Sequence, residues 1–83
     1  MLTKPIVMLD FETTGLSPDM GDRITEVAAL RIADGVIVER YVSLVNCGVR
    51  IPAFITGLTG ITQQMVDTAP PVHEVVPRLL EFI

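Results

Sequence analysis

Tryptophan is absent from the sequence, tyrosine occurs once and phenylalanine three times. A core built from this chain is therefore largely aliphatic. A lone cysteine, Cys47, excludes an internal disulfide and fits a reducing, cytoplasmic setting. Basic residues are few: Lys and Arg number 6 against 10 Asp and Glu, for a formal charge of −4. Such a chain lacks a general attraction for a phosphate backbone. Any nucleic acid it meets must be held by a local site, a metal, or another part of the protein. Long apolar runs are missing too. None approaches the roughly 18 residues of a membrane span. The amino-terminal "MLTKPIVMLD" is no signal peptide, because its apolar run is short, broken by Pro5 and ended by Asp10.

What is present is an apolar fraction of 49%, which excludes disorder. The 83 residues allow one domain at most. A domain of that size buries only about 60–65% of its unfolded surface and is marginal alone.

Ile6 to Phe11 is a near-continuous apolar run that reads as a central strand buried on both faces. "TTGLSPDMGD" is dense in turn formers and reads as a loop. Asp34-Gly35 is a hairpin signal joining "ITEVAALRIA" to "VIVERYVSLV", which predicts two antiparallel strands. Further on, Ala53 to Leu58 forms a short helical turn that Gly60 breaks. Thr62 reads as the N-cap of a second short helix. Val72, Val75, Val76, Leu79, Leu80 and Ile83 follow helical spacing after a Pro pair, and Pro77 lies inside that pattern. The ending "LLEFI" has neither a Gly cap nor a polar tail. That ending implies an N-terminal piece of a larger domain; the alternative is a short protein that dimerises through this face.

The chemistry concentrates at the end of the first strand. Residues i and i+2 of a strand point to one face, with Cα atoms about 6.5–7 Å apart. Asp10 and Glu12 therefore aim at one place. Two close carboxylates repel unless something compensates, and a divalent cation such as Mg²⁺, which binds carboxylate, water and phosphate oxygens, does so. The plain alternative is a strand end turning polar as it meets solvent. Thr13 and Thr14 add hydroxyls and N–H groups, Gly15 permits close approach to the backbone, and Leu16 packs on a base or covers the core. Glu26 reads as a structural residue paired with Arg23 or Arg31. Asp19, Asp22 and Asp34 read as turn and cap residues.

"LDFETTGLSP" followed by "DRITEVAALRI" resembles the first motif of the DEDD 3′–5′ exonucleases, the DnaQ-like family. "LTGIT" with "APPVHEVVPRLLEFI" is similar to the segment such proteins carry before their second motif. The resemblance spans Ile6 to Ile83. It implies an α/β, ribonuclease H-like mixed sheet with three antiparallel N-terminal strands and flanking helices, here truncated. It implies that Asp10 and Glu12 are the catalytic ligands of Mg²⁺ or Mn²⁺, Glu12 also orienting the attacking water. Thr13, Thr14 and Gly15 would then lie along the 3′-terminal nucleotide, Leu16 at its base or sugar, and Thr59 at a position where relatives contact the nucleotide. The implied partner is a single-stranded or frayed 3′ end of DNA, or of RNA, with a DNA polymerase as a further partner and no membrane.

The resemblance also has a limit. The family uses four acidic positions and a His or Tyr base, and this chain contains the first motif alone. Its only histidine, His73, does not match the family's catalytic position and reads as a partly exposed helix residue. A non-catalytic interaction module on the same fold is the second reading.

Overall fold

A computed structural model describes residues 4–83. The reading of the amino-terminal segment as no signal peptide falls partly on residues 1–3, outside the described residues. Three strands come first: β1 (Ile6–Thr13), β2 (Ile24–Ala33) and β3 (Val36–Leu44). Three helices follow: α1 (Ala53–Thr59), α2 (Gln63–Asp67) and α3 (Val72–Phe82). The strands form an antiparallel sheet in the order β1-β2-β3. One parallel bridge, Asn46 to Pro71, ties the end of β3 to the start of α3.

Local chemistry accounts for the joints. Asp34 and Gly35 both adopt positive φ, 52° and 78°, which is the two-residue turn that matches the twist of its strands. Gly60 closes α1 at φ 78° with its N–H on the Thr56 carbonyl, a left-handed cap that a Cβ would oppose. Thr62 caps α2, its hydroxyl accepting from the Met65 N–H at 3.2 Å. Pro77 sits inside α3 and removes one of its backbone bonds.

The core is small and lies to one side of the sheet. Val27, Val45 and Val75 are buried together, with Ile24 and Tyr41 packed against them. Ile51, Ile61 and Val66 form a second cluster beneath α1 and α2. The apolar end of α3 is used in part. Phe82 stacks against Tyr41, with ring centroids 6.1 Å apart, and lies under the Arg31 guanidinium, 4.6 Å from the ring.

One expectation fails here. β1 is an edge strand rather than a central, doubly buried one. It pairs with β2 alone, and Ile6, Met8, Leu9 and Phe11 are between 42% and 60% exposed. An apolar strand is buried only where a second strand and a covering layer exist, and the described residues place neither against β1. The shape agrees. The radius of gyration is 14.5 Å, against about 12 Å for a compact domain of this length. Among the described residues no helix is long and apolar enough to cross a membrane.

Candidate active site

β1 positions the acids by alternation. Ile6, Met8, Asp10 and Glu12 share one face, and α3 packs on the other side of the sheet. The register sets Asp10 opposite Ala28 and Glu12 opposite Glu26. Asp10 is exposed, and one of its oxygens accepts the Phe11 N–H at 3.0 Å. Among the described residues Glu26 has no ion-pair partner: Arg31 pairs with Glu39 and donates to the Phe82 carbonyl, and Arg23 donates to the Asp22 carbonyl. Glu26 faces Glu12 instead, an arrangement of like charges that costs stability unless compensated. The three carboxylates do not converge. Among the described residues no three His, Cys, Asp or Glu side chains stand close enough to hold an ion together.

The register slips between Glu12 and Thr13, and there the chain leaves the sheet for the loop. Thr14 is buried and binds back to Arg23, the residue before β2. Its N–H donates to the Arg23 carbonyl at 2.8 Å, and its hydroxyl accepts the Arg23 N–H at 2.9 Å. The same hydroxyl donates to Asp22 at 3.1 Å, whose second oxygen accepts the Ser17 N–H at 3.0 Å. Asp22 thus clasps both ends of the loop. It also explains Gly15. That residue does not have positive φ, and a Cβ there would lie 2.4 Å from Asp22 Oδ2. The space a side chain would take is filled by the Asp22 carboxylate, not by open room for a ligand.

A cleft of about 740 Å³ opens between this loop and α1. Glu12, Thr13, Thr14, Gly15, Leu16 and Thr59 all line it, so six of the seven candidate residues meet there. The seventh, Asp10, shares the face of Glu12 but lies outside the cleft. Three of the six are committed internally, the first being Thr13, whose hydroxyl donates to the Gly15 carbonyl at 2.7 Å. Thr14 spends its hydroxyl and N–H on the loop, and the Thr59 hydroxyl donates to the Ile55 carbonyl at 2.9 Å and accepts from Ile61 N–H at 3.1 Å. Sequence reasoning missed the α1 wall, Pro52, Phe54, Ile55 and Leu58. A signal was available: Ile55 is needed for the core, while Phe54 and Leu58, four apart, fall on another face of a seven-residue helix. A second cavity, of about 310 Å³, lies by Arg23, Asn46, Cys47 and Val72 and contains neither acid of the pair.

The chain is similar to known proteins in sequence and in fold. The 3′-5′ exonuclease DinG of Bacillus subtilis (strain 168) is 43% identical over 77 residues, covering 93% of this chain and 8% of that protein. The DNA polymerase III subunit epsilon of Aquifex aeolicus (strain VF5) is 37% identical over 83 residues, covering all of this chain and 41% of the relative. The chain thus spans less than half the length of either. Among solved structures, the nuclease domain of 3′hExo, a DEDDh family member bound to rAMP, superposes with a TM-score of 0.82 at 26% identity, over 94% of this chain and 42% of that one. The likeness covers the three antiparallel strands and the helices after them, a ribonuclease H-like fold. Residues 7–83 match the family model RNase_T, described as Exonuclease, and the chain belongs to that exonuclease family.

Proposed function

We propose that residues 1–83 are the N-terminal portion of a single exonuclease domain, whose parent hydrolyses phosphodiester bonds one nucleotide at a time from a 3′ end. One observation carries this: Asp10 and Glu12 share a face of β1, and Glu12 opens into a cleft that also gathers Thr13, Thr14, Gly15, Leu16 and Thr59. Both acids are hard oxygen donors, and among the described residues neither has an ion-pair partner. That donor set fits Mg²⁺ or Mn²⁺. When bound, such ions offset the charge on the attacking and leaving oxygens of phosphoryl transfer. Asp10 and Glu12 would hold the metal, and Glu12 would also orient the attacking water. The Asp22-clasped loop sets Thr13 and Gly15 along the terminal nucleotide, and Leu16 packs at its base or sugar.

The substrate is a single-stranded or frayed 3′ end. The name of the Aquifex relative, a DNA polymerase III subunit, supports a place beside a DNA polymerase, where the activity would serve proofreading, and the rAMP held by the 3′hExo domain supports nucleoside monophosphate as the product class. Two carboxylates alone do not fix two ions, so the isolated chain is inactive or nearly so. In a protein carrying this segment with the rest of its domain, Asp10→Ala is expected to abolish Mn²⁺-dependent release of mononucleotides from a labelled 3′ end. Undiminished release by that variant rules the site out.

A second reading, a non-catalytic interaction module, is favoured by the exposed apolar edge at β1. It predicts no metal-dependent release from any such longer protein.

A further inference from the structure

On the sheet face that carries the acids, β1 and β2 set four residues at the corners of a square. Asp10 stands opposite Ala28, and Glu12 stands opposite Glu26. Three corners are carboxylates and the fourth is a methyl. Directly opposed side chains on one face lie about 4.5–5.5 Å apart at Cβ, and diagonal ones about 7–8 Å apart. Glu26 therefore has Glu12 beside it and Asp10 on its diagonal.

No positive charge answers Glu26 within the sheet. Its neighbour on β3 is Leu44, and Ile24 and Ala28 flank it along β2. Of the sheet's two arginines, Arg31 lies on the other face, and Arg40 stands opposite Leu30, two rows away on β3. Glu26 is half-buried on the central strand. A carboxylate taken partly out of water needs a partner, and here the nearest groups repel it. Two further costs meet at the same place. The register slips just past Glu12 and Glu26, which leaves Thr25 without a partner residue on β1. Thr25 is 1% exposed, and its hydroxyl has no hydrogen-bond partner among the described residues. Bulges gather next to active sites, where they re-aim side chains, and local rules are broken mostly where a function requires it.

We infer that Glu26 is a positioning residue for the proposed metal site: its charge, fixed beside Glu12, turns that carboxylate away from β2 and strengthens the attraction of the acid pair for a divalent cation. The cation in turn offsets a repulsion built into the strand pair. Glu26 is not a third ligand, since the three carboxylates do not converge on one point. It acts through Glu12 and by charge. The inference rests on the proposed reading of Asp10 and Glu12 as metal ligands and adds to it a carboxylate from β2.

Replacing the charge by an amide tests it, because stability and metal affinity should move in opposite directions. In EDTA, Glu26→Gln is expected to raise the thermal midpoint of the full chain by about 1–5 °C, as a pair of opposed like charges is lost. Water-proton relaxation titrated with Mn²⁺ at low salt should show affinity for the ion lowered about fivefold. The rise in midpoint that Mn²⁺ brings should shrink accordingly. Glu26→Asp, which keeps the charge, should retain most of the affinity. Glu81→Gln, on α3 at the other side of the sheet, removes the same charge and should leave the affinity unchanged. Unaltered Mn²⁺ affinity in Glu26→Gln, equal weakening by Glu81→Gln, or a lowered midpoint in EDTA overturns the inference and leaves the metal site standing. Asp10→Ala tests the reading beneath it. If that variant binds Mn²⁺ as well as the unsubstituted chain does, the acid pair holds no ion, and the role of Glu26 falls with it.

Discussion

At the scale of single residues, the Gly15–Asp22 contact shows how a binding motif depends on a residue outside it. Asp22 touches no proposed ligand atom. It holds the Thr14 hydroxyl and the Ser17 N–H, and its carboxylate occupies the space over the Gly15 Cα. A methyl at position 15 would meet only the end of a side chain, which can swing away. The cost of Gly15→Ala therefore comes less from collision than from the two bonds Asp22 gives up, about 1–3 kcal/mol. The cycle with Asp22→Ala tests the coupling. Urea unfolding should show each single variant destabilised, and the double variant destabilised by clearly less than their sum. Additive losses would mean that Gly15 is required for another reason.

Elements were legible in the sequence where a short signal fixes backbone geometry. Asp34-Gly35 identified the hairpin, Thr62 the cap of α2, and the spacing of Val75 and Leu79 the buried side of α3, because each acts within a few residues. That Asp10 and Glu12 share a face was legible for the same reason, through strand alternation. β1 was misread because burial is not local. Its apolar residues on both faces state what the strand is suited to, whereas its surroundings depend on strands and layers that a period of two cannot report. The α1 wall was missed likewise, since a helix this short gives two turns of pattern at most. The edge itself predicts behaviour. An edge strand paired on one side only among the described residues, with exposed Ile6, Met8, Leu9 and Phe11, is a template for pairing with another chain. Sedimentation of the isolated chain should show self-association that rises with concentration, and Met8→Lys, which puts a charge on that edge, should suppress it. Association that is indifferent to Met8→Lys would place the contact elsewhere.

The whole molecule is acidic, and that decides how it can hold a polyanion. With a formal charge of −4 and no cation in the cleft, few phosphate charges are neutralised by Lys or Arg when an oligonucleotide binds. Counterion release sets the salt dependence, with log K falling against log salt at about −0.7 per neutralised phosphate on a single strand. A cationic groove contacting six phosphates would give a slope near −4. In the proposed site the attraction would pass through one metal-bridged phosphate, which releases few counterions. Affinity for a short single strand, measured between 50 and 200 mM KCl with Mn²⁺ held constant, is therefore expected to fall by a slope no steeper than about −1 to −1.5. Chelation of the metal should remove binding at every salt concentration. A steep slope that survives chelation would show that basic residues outside the cleft hold the strand, and the acid pair would then have to act on a substrate delivered by another surface.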